Sequence, residues 1–519
     1  MALKKVLVVG GGSAGWITAA YMNAAINAGG KKNVEISLIE SPNTPKIGVG
    51  EATIPLIRQV LQTLGLNEIE FMKRTDATFK QGIKFVDWLE HGEEYYHQFS
   101  RYNPEAIDCY GLDWLKSNRN TPFADTVSVQ PKLCDLNLSP KLIGPRQLQT
   151  PLNYAYHLNA LKFADYLAGI GIENGVTHYL DDVTDIEMAD NGYIKAVNTK
   201  GGKKLEADIF VDCTGFAAHL IEKKLNVGWE NYSPWLLCDR AVTMQIPYEV
   251  FYPGFVRSVT MSTAKSSGWI WDIPLTSRRG IGYVYSSQFI SDEAAEQELR
   301  NYEGNHSIGI STRIVPFKVG QRKKSWVGNC VAIGLSGGFL EPIESTGLYF
   351  VQLAALTLAE YFPYGNDMEP LAKRFNTIMG DRFKETMEFI NLHYCLTKRK
   401  DTHFWREVTR PERIPDSVKE KIEFWKQKPP SRGDFPDNFT LFSYQNHELV
   451  LYGMDFLRDH YAEMYKKPRP PVVTPSFITN RYESMRRQLP PHGEWLIRSL
   501  GMQDFSRKKN HASIWDKVD

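Results

Sequence analysis

Gly10-Gly11-Gly12-Ser13-Ala14-Gly15 stands between an apolar run, Val6-Leu7-Val8-Val9, and a helix-like stretch from Trp16 to Met22. A second apolar run, Val34 to Ile39, ends at Glu40. Strand, glycine turn, helix, strand and acid is the order that binds a dinucleotide. Gly10 makes the tight turn, Gly12 lets the backbone approach a pyrophosphate, and Gly15 lets the helix pack on the sheet. The helix N-terminus turns N–H groups toward phosphate, and Glu40 accepts from a ribose hydroxyl.

Three further segments carry residue types that could do chemistry: Gly48-Val49-Gly50-Glu51-Ala52-Thr53-Ile54-Pro55, Gly268-Trp269-Ile270-Trp271-Asp272-Ile273-Pro274, and Glu341-Pro342-Ile343-Glu344-Ser345-Thr346-Gly347-Leu348. Read alone, the alternating tryptophans put two rings on one face of a strand, which is ordinary core packing. Glu344 alone is a carboxylate beside the positive end of a helix. Single lysines such as Lys80 and Lys84 are mostly solvated side chains.

The elements that must position these residues are legible in outline. Ala207–Gly215 and Asn329–Leu335 are two more buried strands ending in glycine. Three such strands, spread over more than half the chain, predict one nucleotide-binding domain assembled from distant segments. Insertions between them would cover a long, buried cofactor, which suits FAD better than a compact NAD domain. The segment from Pro363 to Asp381 reads as a connection into a helical C-terminal part. The aromatic residues there (Phe383, Phe389, Tyr394, Phe404, Trp405, Phe424, Trp425) read as core, Lys467–Pro471 as a rigid linker, and the stretch from Ser506 as a loose tail.

Composition narrows the partners. The 519 residues hold 61 Lys+Arg against 60 Asp+Glu, a net charge of +1, so bulk charge recruits neither nucleic acid nor a membrane surface. Hydrophobic residues at 42% and charged residues at 23% exclude a disordered or coiled-coil chain. Apolar runs fall short of the roughly 18 residues a membrane span needs. Met1 to Val6 leads straight into a strand without a signal-peptide pattern, so a cytoplasmic protein is expected. Cys109, Cys134, Cys213, Cys238, Cys330 and Cys395 are far apart and without a C-x-x-C pair, which favours buried free thiols over disulfides or a metal site.

Taken together, the glycine turn, Gly50-Glu51-Ala52-Thr53, Trp269-x-Trp271-x-Ile273-Pro274 and Glu344-Ser345-Thr346-Gly347 resemble the flavin-dependent halogenases of the tryptophan-halogenase type, from the first turn to about Trp405. The resemblance implies an α/β FAD-binding fold of the glutathione-reductase or aromatic-hydroxylase type, with an inserted and C-terminal, mostly helical substrate-binding part. It divides as 1–365 and 366–519. It also implies the chemistry. Reduced FAD from a separate flavin reductase meets O2, chloride or bromide becomes hypohalous acid, and the acid crosses an internal tunnel to a lysine that matches Lys80. The tryptophan pair lies beside the flavin and blocks ordinary monooxygenation.

Further roles are carried over by the same match. Glu344 takes the ring proton or polarises hypohalous acid, Ser345 relays, and the backbone of Thr346 and Gly347 holds halide. Flavin contacts are Gly10, Gly12, Ser13, Ala14, Gly15, Glu40, Gly50, Ala52, Val183, Trp269, Trp271, Leu335 and Leu348. Phe99 stacks on the substrate ring and His97 flanks it; read alone, His97 is a partly buried histidine beside Tyr95 and Tyr96. Whether Lys80 forms a haloamine or hydrogen-bonds hypohalous acid stays open, as does a homodimer.

The pattern breaks in one place. The Tyr-Tyr pair and Phe-Trp with which tryptophan halogenases hold the amino-acid end of their substrate are missing from Asp434–Tyr444. A zwitterion needs partners for both charges, so free indole or another electron-rich ring is expected instead. The competing readings are a single-component flavin aromatic hydroxylase and a flavin-binding protein without catalysis.

Overall fold

The computed structural model describes residues 4–30, 32–44, 50–102, 111, 114–115, 120–144, 148, 150–248, 256–365, 367–435, 440–456 and 475–503. Gly48, Val49, Cys109, part of Asp434–Tyr444, the Lys467–Pro471 linker and the tail from Ser506 lie outside them.

A six-stranded sheet forms the nucleotide-binding layer, in the order Trp326–Val327, Cys330–Ala332, Ile209–Asp212, Lys4–Val9, Val34–Glu40, Thr177–Leu180. The three glycine-ended strands of the sequence are neighbours here, all parallel, with Val8 opposite Val211 and Val211 opposite Val331. Their apolar runs are continuous because both faces are covered. Val6 and Val8 are fully buried, and each such side chain contributes roughly 1.5–3 kcal/mol. The turn after the first strand needs glycine at position 10: its φ is +114°, and a Cβ there would stand 2.3 Å from the Cys213 carbonyl oxygen. The helix Ser13–Ile26 follows, its axis starting at that turn.

A seven-stranded sheet contributes to the same cavity as this layer, in the order Thr312–Pro316, Arg240–Pro247, Arg278–Tyr285, Gly268–Pro274, Thr260–Lys265, Gly82–Val86, Glu94–Gln98. A small sheet joins the two functional regions: Ala155–Asn159 runs between Gly50–Ala52 and Thr78–Lys80, with His157 paired to Ala52 on one side and Thr78 on the other. The strand carrying Lys80 is thereby fixed to the strand carrying Ala52.

Beyond residue 365 the described elements are helices, chiefly Glu369–Cys395, His403–Glu407, Asp416–Trp425, Tyr444–Gly453, Pro475–Gln488 and His492–Leu500. Two expectations change. The connection is shorter than Pro363–Asp381, because a 27-residue helix already begins at Glu369, with Pro370 in its first turn where no N–H is missed. Phe424 is 48% exposed, whereas Phe383, Phe389, Tyr394, Phe404, Trp405 and Trp425 are buried. Phe424 and Trp425 are adjacent on one helix, so only one of them can face the core. Cys134, Cys213, Cys238, Cys330 and Cys395 are free thiols. Among the described residues no helix is long and apolar enough to cross a membrane.

Candidate active site

Two buried regions meet at the segment Glu341–Gly347. The first is a cavity of about 620 Å³. Its wall includes Gly10, Gly12, Ser13, Ala14, Glu40, Gly50, Ala52, Val183, Trp271, Leu335 and Leu348, and is closed by Ser345, Thr346 and Gly347. Gly15 and Trp269 stand one layer back. A Cβ on Gly15 would lie 1.8 Å from the Gly10 carbonyl oxygen, and Trp269 packs edge-on against Trp271 at 6.2 Å. His178 Nε2 lies 3.0 Å from the Glu40 carboxylate.

The cavity fits FAD on its own features. It combines the glycine turn, a helix N-terminus, an acid at the second strand end and the volume of a cofactor site. Two of its wall residues also present buried polar atoms without a hydrogen-bond partner among the described residues, Trp271 Nε1 and Thr346 Oγ1. Such atoms are costly unless something satisfies them.

The second region holds Lys80. Its side chain is fully buried, its Nζ donates to Ser345 Oγ at 2.7 Å, and the Phe99 ring centroid is 5.3 Å away. Burial pushes the ammonium down to about 7, while the Glu344 charge pulls the other way. Ser345 therefore belongs to both regions: it lines the cavity and receives the lysine's hydrogen bond. It does so with φ at +59°, a left-handed conformation at the end of the turn Pro342–Glu344. A non-glycine residue held there stores strain, as functional turns often do. The helix Gly347–Glu360 that follows has no side-chain cap on its first turn. Lys84, by contrast, is not simply solvated: its side chain is 16% exposed and pairs with Glu94 at 2.7 Å and Asp135 at 3.2 Å.

Glu344 is buried between two imidazoles. His97 Nδ1 stands 2.8 and 3.0 Å from its oxygens, and His393 Nε2 is 2.9 Å away, off the line a hydrogen bond requires. Burial alone would raise this carboxyl, but the adjoining imidazoles, His97 first, outweigh it and keep it ionised. Each histidine is fixed from behind. Asn446 Oδ1 accepts from the Ser443 N–H at 2.9 Å, which turns its Nδ2 toward His97 Nε2, also at 2.9 Å. His97 Nε2 is then an acceptor, and its proton sits on Nδ1, facing Glu344. Tyr95 O–H lies 2.6 Å from His393 Nδ1; burial keeps the phenol protonated, so it donates and leaves the His393 proton on Nε2. Burial also lowers His393 as a base, against the pull of Glu344.

The sequence singled out Lys80, Phe99, His97 and the Glu344–Gly347 turn, and the fold brings all of these together. His97 is spent on Glu344 and Asn446 through both ring nitrogens, so it acts on the carboxylate. His393, Tyr95 and Asn446 were missed. Asn446→Leu removes the donor that fixes the His97 tautomer; we expect turnover to fall about fivefold, the worth of one hydrogen bond of about 1 kcal/mol. Steady-state kinetics at unchanged flavin affinity would check it, and unaltered turnover would sink the assignment.

Comparison with known proteins agrees with this geometry. The tryptophan halogenase family profile matches residues 5–470. A tryptophan 6-halogenase of Streptomyces toxytricini is 36% identical over 471 residues, 86% of this chain and 88% of that one. The crystal structure of a tryptophan halogenase from Shewanella frigidimarina superposes with a TM-score of 0.89 at 33% identity, covering 96% of this chain and 98% of its own. A tryptophan C-6 flavin-dependent halogenase from taromycin biosynthesis gives 0.88 at 34%, covering 96% and 99%. A buried lysine beside a flavin-type cavity, in a chain this similar throughout, has one reading: the chain belongs to the tryptophan halogenase family and is a flavin-dependent halogenase.

Proposed function

We propose that Lys80 receives halogen from hypohalous acid and passes it to an indole-like ring lying against Phe99, with Glu344 taking the ring proton. When bound, FADH2 from a separate reductase would supply, with O2, the oxidation of chloride or bromide to hypohalous acid. Gly10, Gly12, Ser13, Ala14, Glu40, Gly50, Ala52, Val183, Leu335 and Leu348 would hold the cofactor, with Trp269 and Gly15 supporting that wall. The backbone of Thr346 and Gly347 would hold halide at the uncapped helix start.

The chain's own residues account for the transfer. A lysine with its ammonium pushed down to about 7 is partly a free amine at neutral pH. Its lone pair attacks the halogen; the N–X bond forms, the O–X bond breaks, and hydroxide leaves with the amine's surplus proton as water. As the ring carbon takes the halogen, the N–X bond breaks and its electron pair stays on nitrogen. That nitrogen regains the proton equivalent that the ring gives up to Glu344, so that Lys80 returns as the free amine and Glu344 as the carboxylate. The ring cation is a strong acid, so even the weakly basic Glu344 removes its proton and restores aromaticity. Ser345 steadies Nζ in line with the cavity wall. The observation that carries this reading is the complete burial of Lys80 one hydrogen bond from that wall.

The choice of indole over free tryptophan rests on charge. On the substrate side Arg101 Nη2 pairs with Glu448 at 2.7 Å, with side chains 6% and 3% exposed. A zwitterion seeking partners there would have to break that pair, at a cost of about 3–5 kcal/mol. Indole, tryptophan and phenol should be compared with chloride and bromide beside a generic reductase. We expect kcat/KM for indole to exceed that for tryptophan by at least about tenfold, a fraction of that cost. A preference for tryptophan would overturn the substrate assignment and leave the chemistry standing.

A further inference from the structure

Glu341 stands three residues before Glu344, at the entrance of the same turn, and is fully buried. It is not part of the cavity wall. Its Oε2 accepts from Trp269 Nε1–H at 2.9 Å and from Tyr394 O–H at 2.5 Å. Trp269 meets Trp271 edge to face, and Trp271 forms the cavity wall. Behind Trp271 lies Gly282, where a Cβ would come within 2.2 Å of the ring, so the indole is pressed against bare backbone on that side. Tyr394 directly follows His393, the residue beside Glu344. Consecutive residues near the end of the helix Glu369–Cys395 thus hold both glutamates of the turn.

We propose that Glu341 is a positioning residue: it anchors Trp269, and through that ring holds Trp271 against the flavin site in register with the turn that carries Glu344. A carboxyl at this place is expensive. Burial pushes it up to about 7, against the pull of Tyr394, Trp269 and the nearby Cys238 thiol, and its second oxygen, Oε1, has no well-formed hydrogen bond among the described residues. A core built only for stability would fill such a position with an apolar side chain. Oε2, in contrast, accepts two donors at once, one from each element it joins, which is the arrangement that fixes an indole N–H.

This inference rests on the hypohalous-acid reading above for its activity readout, and on the apoprotein for an independent one. In apoprotein carrying 15N-labelled tryptophan, the Nε1–H signals of Trp269 and Trp271 report their hydrogen bonding and packing. Glu341→Gln should shift the Trp269 signal and move that of Trp271 as well, and Trp269→Phe should move Trp271 in the same direction. With FADH2 and chloride, each variant should lower halogenated product per flavin oxidised about fivefold, the scale of one lost hydrogen bond. Hypohalous acid released to solvent should rise correspondingly. The double variant should be no worse than the more severe single one, because both act through one contact. Additive losses, or an unmoved Trp271 signal, would overturn the proposal; Trp269→Phe keeps the ring and guards against simple misfolding. Should Lys80→Ala leave product per flavin unchanged, the transfer reading fails, while the indole signals still decide the role of Glu341.

Discussion

Lys80→Ala should lower indole halogenation by on the order of 10³-fold, the upper range for removing a positioned catalytic group, while flavin binding and hypohalous acid release persist. The dissociation follows from the geometry: Lys80 contacts Ser345 and Phe99 and forms no part of the cofactor wall. Product formation and a hypohalous acid trap, measured on the same sample, check it. Halogenation at the parental rate would end the assignment. The buried amine also has a stability signature. Its folded pKa is lowered from 10.5 to about 7, so between those values the unfolded chain binds more protons and parental stability rises with pH. Lys80→Met lacks this dependence. Its Tm should exceed that of the parent most clearly below pH 7, where the charge is buried at a cost of roughly 3–5 kcal/mol, and the advantage should shrink toward pH 10. Inactivity combined with added stability is what a strained catalytic residue predicts.

Glu344→Gln should cost about 10²-fold in turnover, since a general base is lost while the backbone halide site and Lys80 remain. Its pH profile carries more information. If the free amine accepts halogen, kcat/KM of the parent rises with pH through about 7. The Glu344 charge is what holds the lysine up against desolvation. Neutralising it lets burial act unopposed, so the rising limb of the variant should move to lower pH. A limb that stays in place, or moves upward, would show that Glu344 does not act on Lys80 electrostatically. A parent profile that falls through 7 would favour the ammonium as hydrogen-bond donor to hypohalous acid.

Much of this site could be read before any coordinates. The glycine turn, the strand ends at Glu40, Cys213 and Gly334, and the Glu344–Gly347 turn are short-range patterns, in which the residue type itself states the backbone or chemical demand. Lys80 is different: nothing about a single lysine announces burial, and only the resemblance selected it over Lys84, which lies four residues along and ends in surface ion pairs. His393, Tyr95 and Asn446 were invisible for a related reason. Each meets its partner across a separation set by the packing of three distant elements, and none carries a local signature. Glu341 was in plain view inside the quoted motif, but its role depends on where Trp269 and Tyr394 arrive. The same limit explains Phe424, whose exposure is decided by the phase of one short helix.

The helix Glu369–Cys395 begins among surface residues and ends with His393 and Tyr394 against the two glutamates of the turn Glu341–Gly347. Engineers who recombine halogenases to broaden their scope would naturally splice near residue 365, where the fold turns helical. Such a graft would import a foreign grip on both glutamates. Crossovers placed after Cys395 instead keep His393 and Tyr394 with their own turn, provided the native Asn446 behind His97 is retained as well.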